Sequence, residues 1–132
     1  MTRYLILGNS AAGLTAIDAI RARDNDGAIT VVSKEPEPCY SRVALPYILS
    51  REKNLRQITL QEADYYGANK AMLISGIGAY RLNPDTRTVH LEDGRSLPYD
   101  KLLIATGSAS RVPPVSGIED ADVCYHWTLA DT

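Results

Sequence analysis

The stretch YLILGNSAAGLTAIDAI, Tyr4–Ile20, changes period in its middle, and that change decides the fold. Tyr4–Leu7 is an apolar run closed by a glycine, as expected of a short strand buried on both faces of a parallel sheet. From Ala11 the apolar residues fall near helical spacing, at Leu14, Ile17, Ala19 and Ile20. Arg21 and Arg23 close the run, where cations suit the negative pole of a helix. Asn25-Asp26-Gly27 makes a turn, and Ile29–Val32 is a second β-branched run. Strand, helix and strand within about thirty residues form a βαβ unit with a right-handed crossover.

The corner of this unit is GNSAAG, Gly8–Gly13. Gly8 lets the chain reverse sharply, Ala11 and Ala12 keep the backbone bare of bulk, and Gly13 allows the helix to pack closely on the strand. The first amides of a helix have no internal partners, so with the helix dipole they favour a pyrophosphate. Asn9 and Ser10 border the same corner, and the Ser10 hydroxyl is placed either to donate to a ligand or to cap the helix. Such a corner predicts an acidic residue about twenty positions on, at the end of the second strand, to hold a ribose. Glu35 meets that spacing; Ser33 and Lys34, nearer the strand end, fall in the same place.

Further along, Lys34–Lys53 alternates prolines with polar residues and reads as a long loop running into a short helix. The spacing of TLQE, Thr59–Glu62, predicts a capping box that starts a helix through about Asn69. Ala71–Ser75 is a third strand. Gly78–Leu82, Thr88–Leu91 and Arg95–Leu97 alternate as the short strands of an antiparallel meander, with turns at Asn83-Pro84-Asp85 and Asp93-Gly94. Lys101–Ala105 is a further apolar strand ending in ATGS, and the tail from Arg111 has no clear period.

Composition narrows the function classes. With 132 residues the chain is expected to be one domain, and 45% hydrophobic against 23% charged residues is enough to build a core. Fourteen basic against sixteen acidic residues give a net charge of −2, which favours neither nucleic acid nor a membrane surface. No apolar run reaches a membrane span, and no signal peptide precedes the first strand. Cys39 and Cys124 lack metal-ligand spacing and read as free thiols of a cytoplasmic protein, and no metal site is expected.

Taken together, YLILGNSAAGLTAIDAIR, ITVVSKEPEPCYSRVALPY and YDKLLIATGS resemble the FAD-dependent pyridine nucleotide–disulfide oxidoreductase family over nearly the whole chain. The fold implied is α/β: a Rossmann-like FAD-binding domain with a parallel sheet and an inserted antiparallel β-meander. YSRVALPY is most similar to the branch of NADH-dependent rubredoxin and ferredoxin reductases and the FAD part of nitrite reductases. By this resemblance Arg42 approaches the FAD phosphates or the flavin edge, and the main chain of Ala79 meets the adenine. Thr106 and Gly107 line the cofactor, and Tyr47 stands near the flavin ring where ferredoxin-reductase relatives carry a lysine.

Val43 occupies the position at which disulfide-reducing and oxygen-reducing relatives carry a redox cysteine. A thiolate is the nucleophile of thiol–disulfide exchange, so that chemistry is not expected here. His90 and His126 read as structural, and no general acid or base is named. The resemblance implies that residues 1–132 are the N-terminal part of an FAD-binding domain, with the NAD(P)H and C-terminal domains absent from this chain. The expected function is that of an N-terminal fragment of an NAD(P)H-dependent flavoprotein reductase, inactive alone. Its acceptor would be a small iron–sulfur or rubredoxin-type protein, a fused reductase module or oxygen. The alternatives are a non-catalytic nucleotide-binding module and a subunit whose FAD site another chain completes.

Overall fold

A computed structural model describes all residues, Met1–Thr132, and in it two sheets share one core. The first is parallel, with strand order β3-β2-β1-β7, built from β1 (Arg3–Leu7), β2 (Ala28–Ser33), β3 (Ala71–Ser75) and β7 (Lys101–Ile104). The second is the antiparallel meander β4 (Ala79–Asn83), β5 (Thr88–Leu91) and β6 (Ser96–Pro98). Both sheets were legible in the sequence, the meander strands shifted by one residue at β4 and β6.

The alternation of side chains along β1 explains how the layers assemble. Leu5 and Leu7 face the meander, in a cluster with Val32, Ile74, Val89, Leu91 and Tyr99. Ile6, one residue out of step, faces α1 (Ala11–Arg21) and packs with Leu14, Ile17, Ile29, Val31 and Cys39. The centre of the parallel sheet, β1 and β2, is therefore covered on both sides, which is why these strands read as apolar runs, while Leu103 and Ile104 on the edge strand β7 stay exposed. Each fully buried Ile, Val or Leu contributes about 1.5–3 kcal/mol. A third cluster, Tyr40, Leu45 and Ile58, sits under the loop that carries α2 (Leu45–Leu49).

The expected helix from Thr59 does not form. The capping box belongs to Asn54, the N-cap of α3 (Leu55–Ile58), and Gln57 in its first turn, and Thr59 is the extended residue that ends the helix. Tertiary pairing takes this segment away: Tyr40 and Thr59 form an antiparallel bridge, and Leu60 N donates to Cys39 O at 2.8 Å. A separate α4 (Tyr65–Ala68) then leads into β3. No helix is long and apolar enough to cross a membrane.

β7 is tied to β1 by a two-pronged ion pair. Arg3 donates from Nε and Nη2 to the Asp100 carboxylate at 3.1 and 2.7 Å, and its amide adds a third bond at 2.8 Å. These bonds hold the Asp100 carboxyl well below the usual carboxylate range. A depressed folded-state pKa contributes stability above the unfolded value and loses it as pH falls. The denaturation midpoints of the wild type and Asp100→Asn should therefore differ fully above about pH 5 and converge below about pH 4. A gap that stays constant down to about pH 2.5 would show that the pair carries no pH-dependent stability.

Candidate functional site

Two turns meet at the C-terminal ends of β1 and β7, and glycine is required where they touch. Gly8 has φ +120°, and a Cβ there would lie 2.1 Å from the carbonyl oxygen of Ala105. The end of β1 is bound on both sides, with Gly8 N donating to Val32 O of β2 and Ala105 N, just after β7, donating to Leu7 O, both at 2.8 Å. A Cβ on Gly13 would lie 2.2 Å from Gly8 O. The close approach expected at Gly13 is thus chiefly backbone against backbone within the corner. Ser10 is the extended N-cap of α1, and its hydroxyl makes no capping bond. The first backbone bond of the helix runs from Leu14 N to Ser10 O, so the amides of Ala11, Ala12 and Gly13 have no acceptor in the chain. That is a concentration of unpaired donors at the positive end of an eleven-residue helix.

The opposite end of the site is charged. Ser33 Oγ donates to Glu35 O at 2.9 Å, and Gly76 N donates to the same oxygen at 3.2 Å, which fixes the backbone after β2. The Glu35 carboxylate pairs with the Arg42 guanidinium through one oxygen and accepts from the Tyr40 hydroxyl through the other. Arg42 Nη1 also donates to Trp127 O at 2.7 Å, and its guanidinium carbon lies 5.6 Å from the ring centres of both Tyr40 and Trp127. Trp127 Nε1 in turn donates to Ser108 O at 3.1 Å.

Between these ends lies a cleft of about 490 Å³. Gly8, Asn9 and Ser10 line it from the corner, and Ser33, Lys34 and Glu35 from the end of β2. Arg42, Ala79, Thr106 and Gly107 complete the set of expected residues that reach it. Ala11, Ala12 and Gly13 stand behind the wall as the first turn of α1. Tyr47 is not brought to the cleft: it is exposed on α2, with Lys53 Nζ 5.2 Å from its ring centre. His90 and His126 are also elsewhere, paired with Ser96 Oγ and Thr132 Oγ1, each at 2.9 Å.

Sequence reading missed Glu37, Tyr40, Glu92, Ser108 and Trp127, all of which line the cleft. Glu92 is placed by accepting from Gly78 N at 3.0 Å. One signal was at hand for Tyr40, which stands between the two charged residues already singled out, Glu35 and Arg42. None existed for Glu92 or Trp127, which arrive from distant parts of the chain.

The cysteines differ in access. Cys39 is 4% exposed in the core beneath α1, and burial pushes its thiol up to about 11. Cys124 is free and exposed. At about pH 8 iodoacetamide should therefore alkylate Cys124 and spare Cys39 in the folded chain, as read by peptide mass mapping. Equal labelling of both would contradict the burial of Cys39.

The comparisons with known proteins agree with this arrangement. A solved structure of NADH:rubredoxin oxidoreductase from Clostridium acetobutylicum superposes with a TM-score of 0.83 at 29% identity, covering 98% of this chain and 33% of that one. The chain is 41% identical over 125 residues to the NADH-dependent phenylglyoxylate dehydrogenase subunit epsilon of Aromatoleum evansii, covering 95% of itself and 29% of that protein. It is 31% identical over 131 residues to the NAD(P)H nitrite reductase of Bacillus subtilis (strain 168), covering 98% of itself and 16% of that protein. The chain thus spans less than a third of the length of these curated relatives. The family model described as pyridine nucleotide-disulphide oxidoreductase matches residues 2–132, through the glycine corner, the meander and the turn after β7 alike, and the chain belongs to that family.

Proposed function

We propose that the cleft binds FAD and that residues 1–132 are the FAD-binding portion of an NAD(P)H-dependent oxidoreductase. The observation that carries this reading is the run of unpaired amides at Ala11–Gly13, at a corner where Gly8 and Gly13 leave no room for a Cβ. Such a cradle suits a pyrophosphate, which needs several donors and close backbone approach. Asn9 adds a side-chain donor at the same corner: its Nδ2 is buried and has no partner. A buried donor without an acceptor costs about 1–3 kcal/mol, which a phosphate oxygen would offset.

At the other end Glu35 accepts from ribose hydroxyls, and the main chain around Ala79 faces the adenine. Arg42 lies where its fork of donors meets an anion or the flavin edge, and Thr106 and Gly107 border the cofactor from the turn after β7. FAD, when bound, supplies hydride acceptance from NAD(P)H and onward electron transfer, while this chain holds and orients it. The nicotinamide site lies outside these residues, and the chain alone is inactive. The acceptor is a small iron–sulfur or rubredoxin-type protein, or a fused reductase module, in keeping with the names of the relatives. Two thiols left unpaired fit a reducing cytoplasm.

The test is a titration of the chain with FAD and with ADP. Trp127 is the only tryptophan and lines the cleft, so its fluorescence reports occupancy directly. Saturable quenching by FAD, competed by ADP, supports the reading. A folded chain that binds neither FAD nor ADP overturns it.

A further inference from the structure

We infer that Tyr40 is a positioning residue that aims the Glu35 carboxylate at a pair of ribose hydroxyls; this rests on the cleft being the FAD site proposed above. The Tyr40 hydroxyl donates to Glu35 Oε2 and accepts from Leu129 N at 2.9 Å and from Arg42 Nη1 at 3.5 Å. A phenol has one proton to give and two lone pairs, so its capacity is filled within the chain. Although Tyr40 lines the cleft, its hydroxyl therefore acts on a ligand through Glu35.

The phenol is well suited to that role because packing and backbone bonds hold it in place. Tyr40 is 6% exposed and packs with Leu45 and Ile58. Its backbone is pinned on both sides, by Leu60 N to Cys39 O and by Ser41 N to Ile58 O, each at 2.8 Å. Burial, reinforced by Glu35, raises its hydroxyl to about 12, so at neutral pH it stays a donor. Glu35 has three rotatable side-chain bonds, and only Tyr40 and Arg42 hold its carboxylate. Each oxygen takes one donor from the chain and keeps one lone pair. Two such sites side by side match the two O–H groups of a vicinal diol, and their negative charge disfavours a phosphorylated ribose.

The experiment compares ADP with 2′,3′-dideoxy-ADP as competitors of FAD on the wild type, Tyr40→Phe, Glu35→Gln and the double variant, read by Trp127 fluorescence. The wild type should prefer ADP by about thirtyfold. Tyr40→Phe should bind FAD and ADP about tenfold more weakly with dideoxy-ADP unchanged, which shrinks the preference to a few-fold. The double variant should lose nothing beyond Glu35→Gln. The preference is a ratio within one variant, so a loss of stability that lowers both affinities cancels. A wild-type preference retained in Tyr40→Phe, or additive losses in the double variant, overturns the inference and leaves the FAD site standing. A wild type that binds neither FAD nor ADP removes both.

Discussion

Gly13→Val is expected to abolish FAD binding and to lower stability by at least about 3 kcal/mol. A single Cβ at this position already meets Gly8 O at 2.2 Å, and the nearest neighbours are backbone atoms that no rotamer change can move. Relief requires Gly8 to shift, but Gly8 is bonded to Val32 and pressed against Ala105 O. The strain therefore spreads to the turn after β7 and opens the amide cradle. Gly67 gives the contrast within the same chain: nothing lies within 4 Å of a Cβ there, and it sits inside α4. Gly67→Ala should raise stability by about 0.5–1 kcal/mol and leave the flavin titration unchanged. If Gly13→Val kept wild-type flavin affinity, the phosphate-cradle reading would fail.

Arg42→Ala should weaken FAD binding by about thirtyfold while leaving the fold intact. The Glu35 side chain is only 25% exposed, and Arg42 is the cation that pairs with it. Removing the guanidinium leaves a half-buried carboxylate uncompensated and takes away one of the two groups that hold it toward the proposed ribose. It also strips Trp127 O of its donor and loosens the indole from the cleft wall. Arg42→Lys should recover only part of the loss, because an ammonium is not shaped to serve Glu35 and Trp127 O together. Adding Glu35→Gln to Arg42→Ala should cost less than the sum of the two single losses, because both changes act on the same carboxylate. FAD titrations of the three variants check this. Affinity within twofold of the wild type for Arg42→Ala would reduce Arg42 to a tie between loops.

What the sequence displayed and what it hid follow from the range of the interactions involved. The β1–α1–β2 unit was readable because Leu14, Ile17 and Ile20 need only their own spacing to declare a helix, and because the Gly8–Gly13 corner is built by neighbours in the chain. The Thr59 helix was misread because TLQE has the local form of a capping box, while the competing partner, Cys39-Tyr40, lies about twenty residues back. The same long-range approach hid two of the residues that line the cleft. Glu92 is held by Gly78, and Trp127 comes to Arg42 from the far end of the chain, with no periodicity to announce either. Tyr47 was assigned by resemblance alone, and α2 carries it exposed, outside the lining of the cleft.

The sheet order also imposes a timetable on synthesis. Of the seven strands β1 leaves the ribosome before the rest, yet its outer neighbour β7 is closed by an Arg3–Asp100 clamp whose partners are 97 positions apart. At about 5–20 residues per second, on the order of ten seconds separate the two strands. Through that interval β1 can pair with β2 but presents an open edge on its other side, a template for association with a neighbouring nascent chain. The turn after β7 and Trp127 both line the cleft, so the proposed flavin site is incomplete while that edge is open. On the proposed reading cofactor loading follows β7, and a chain that stalls before Lys101 should be both flavin-free and prone to aggregate.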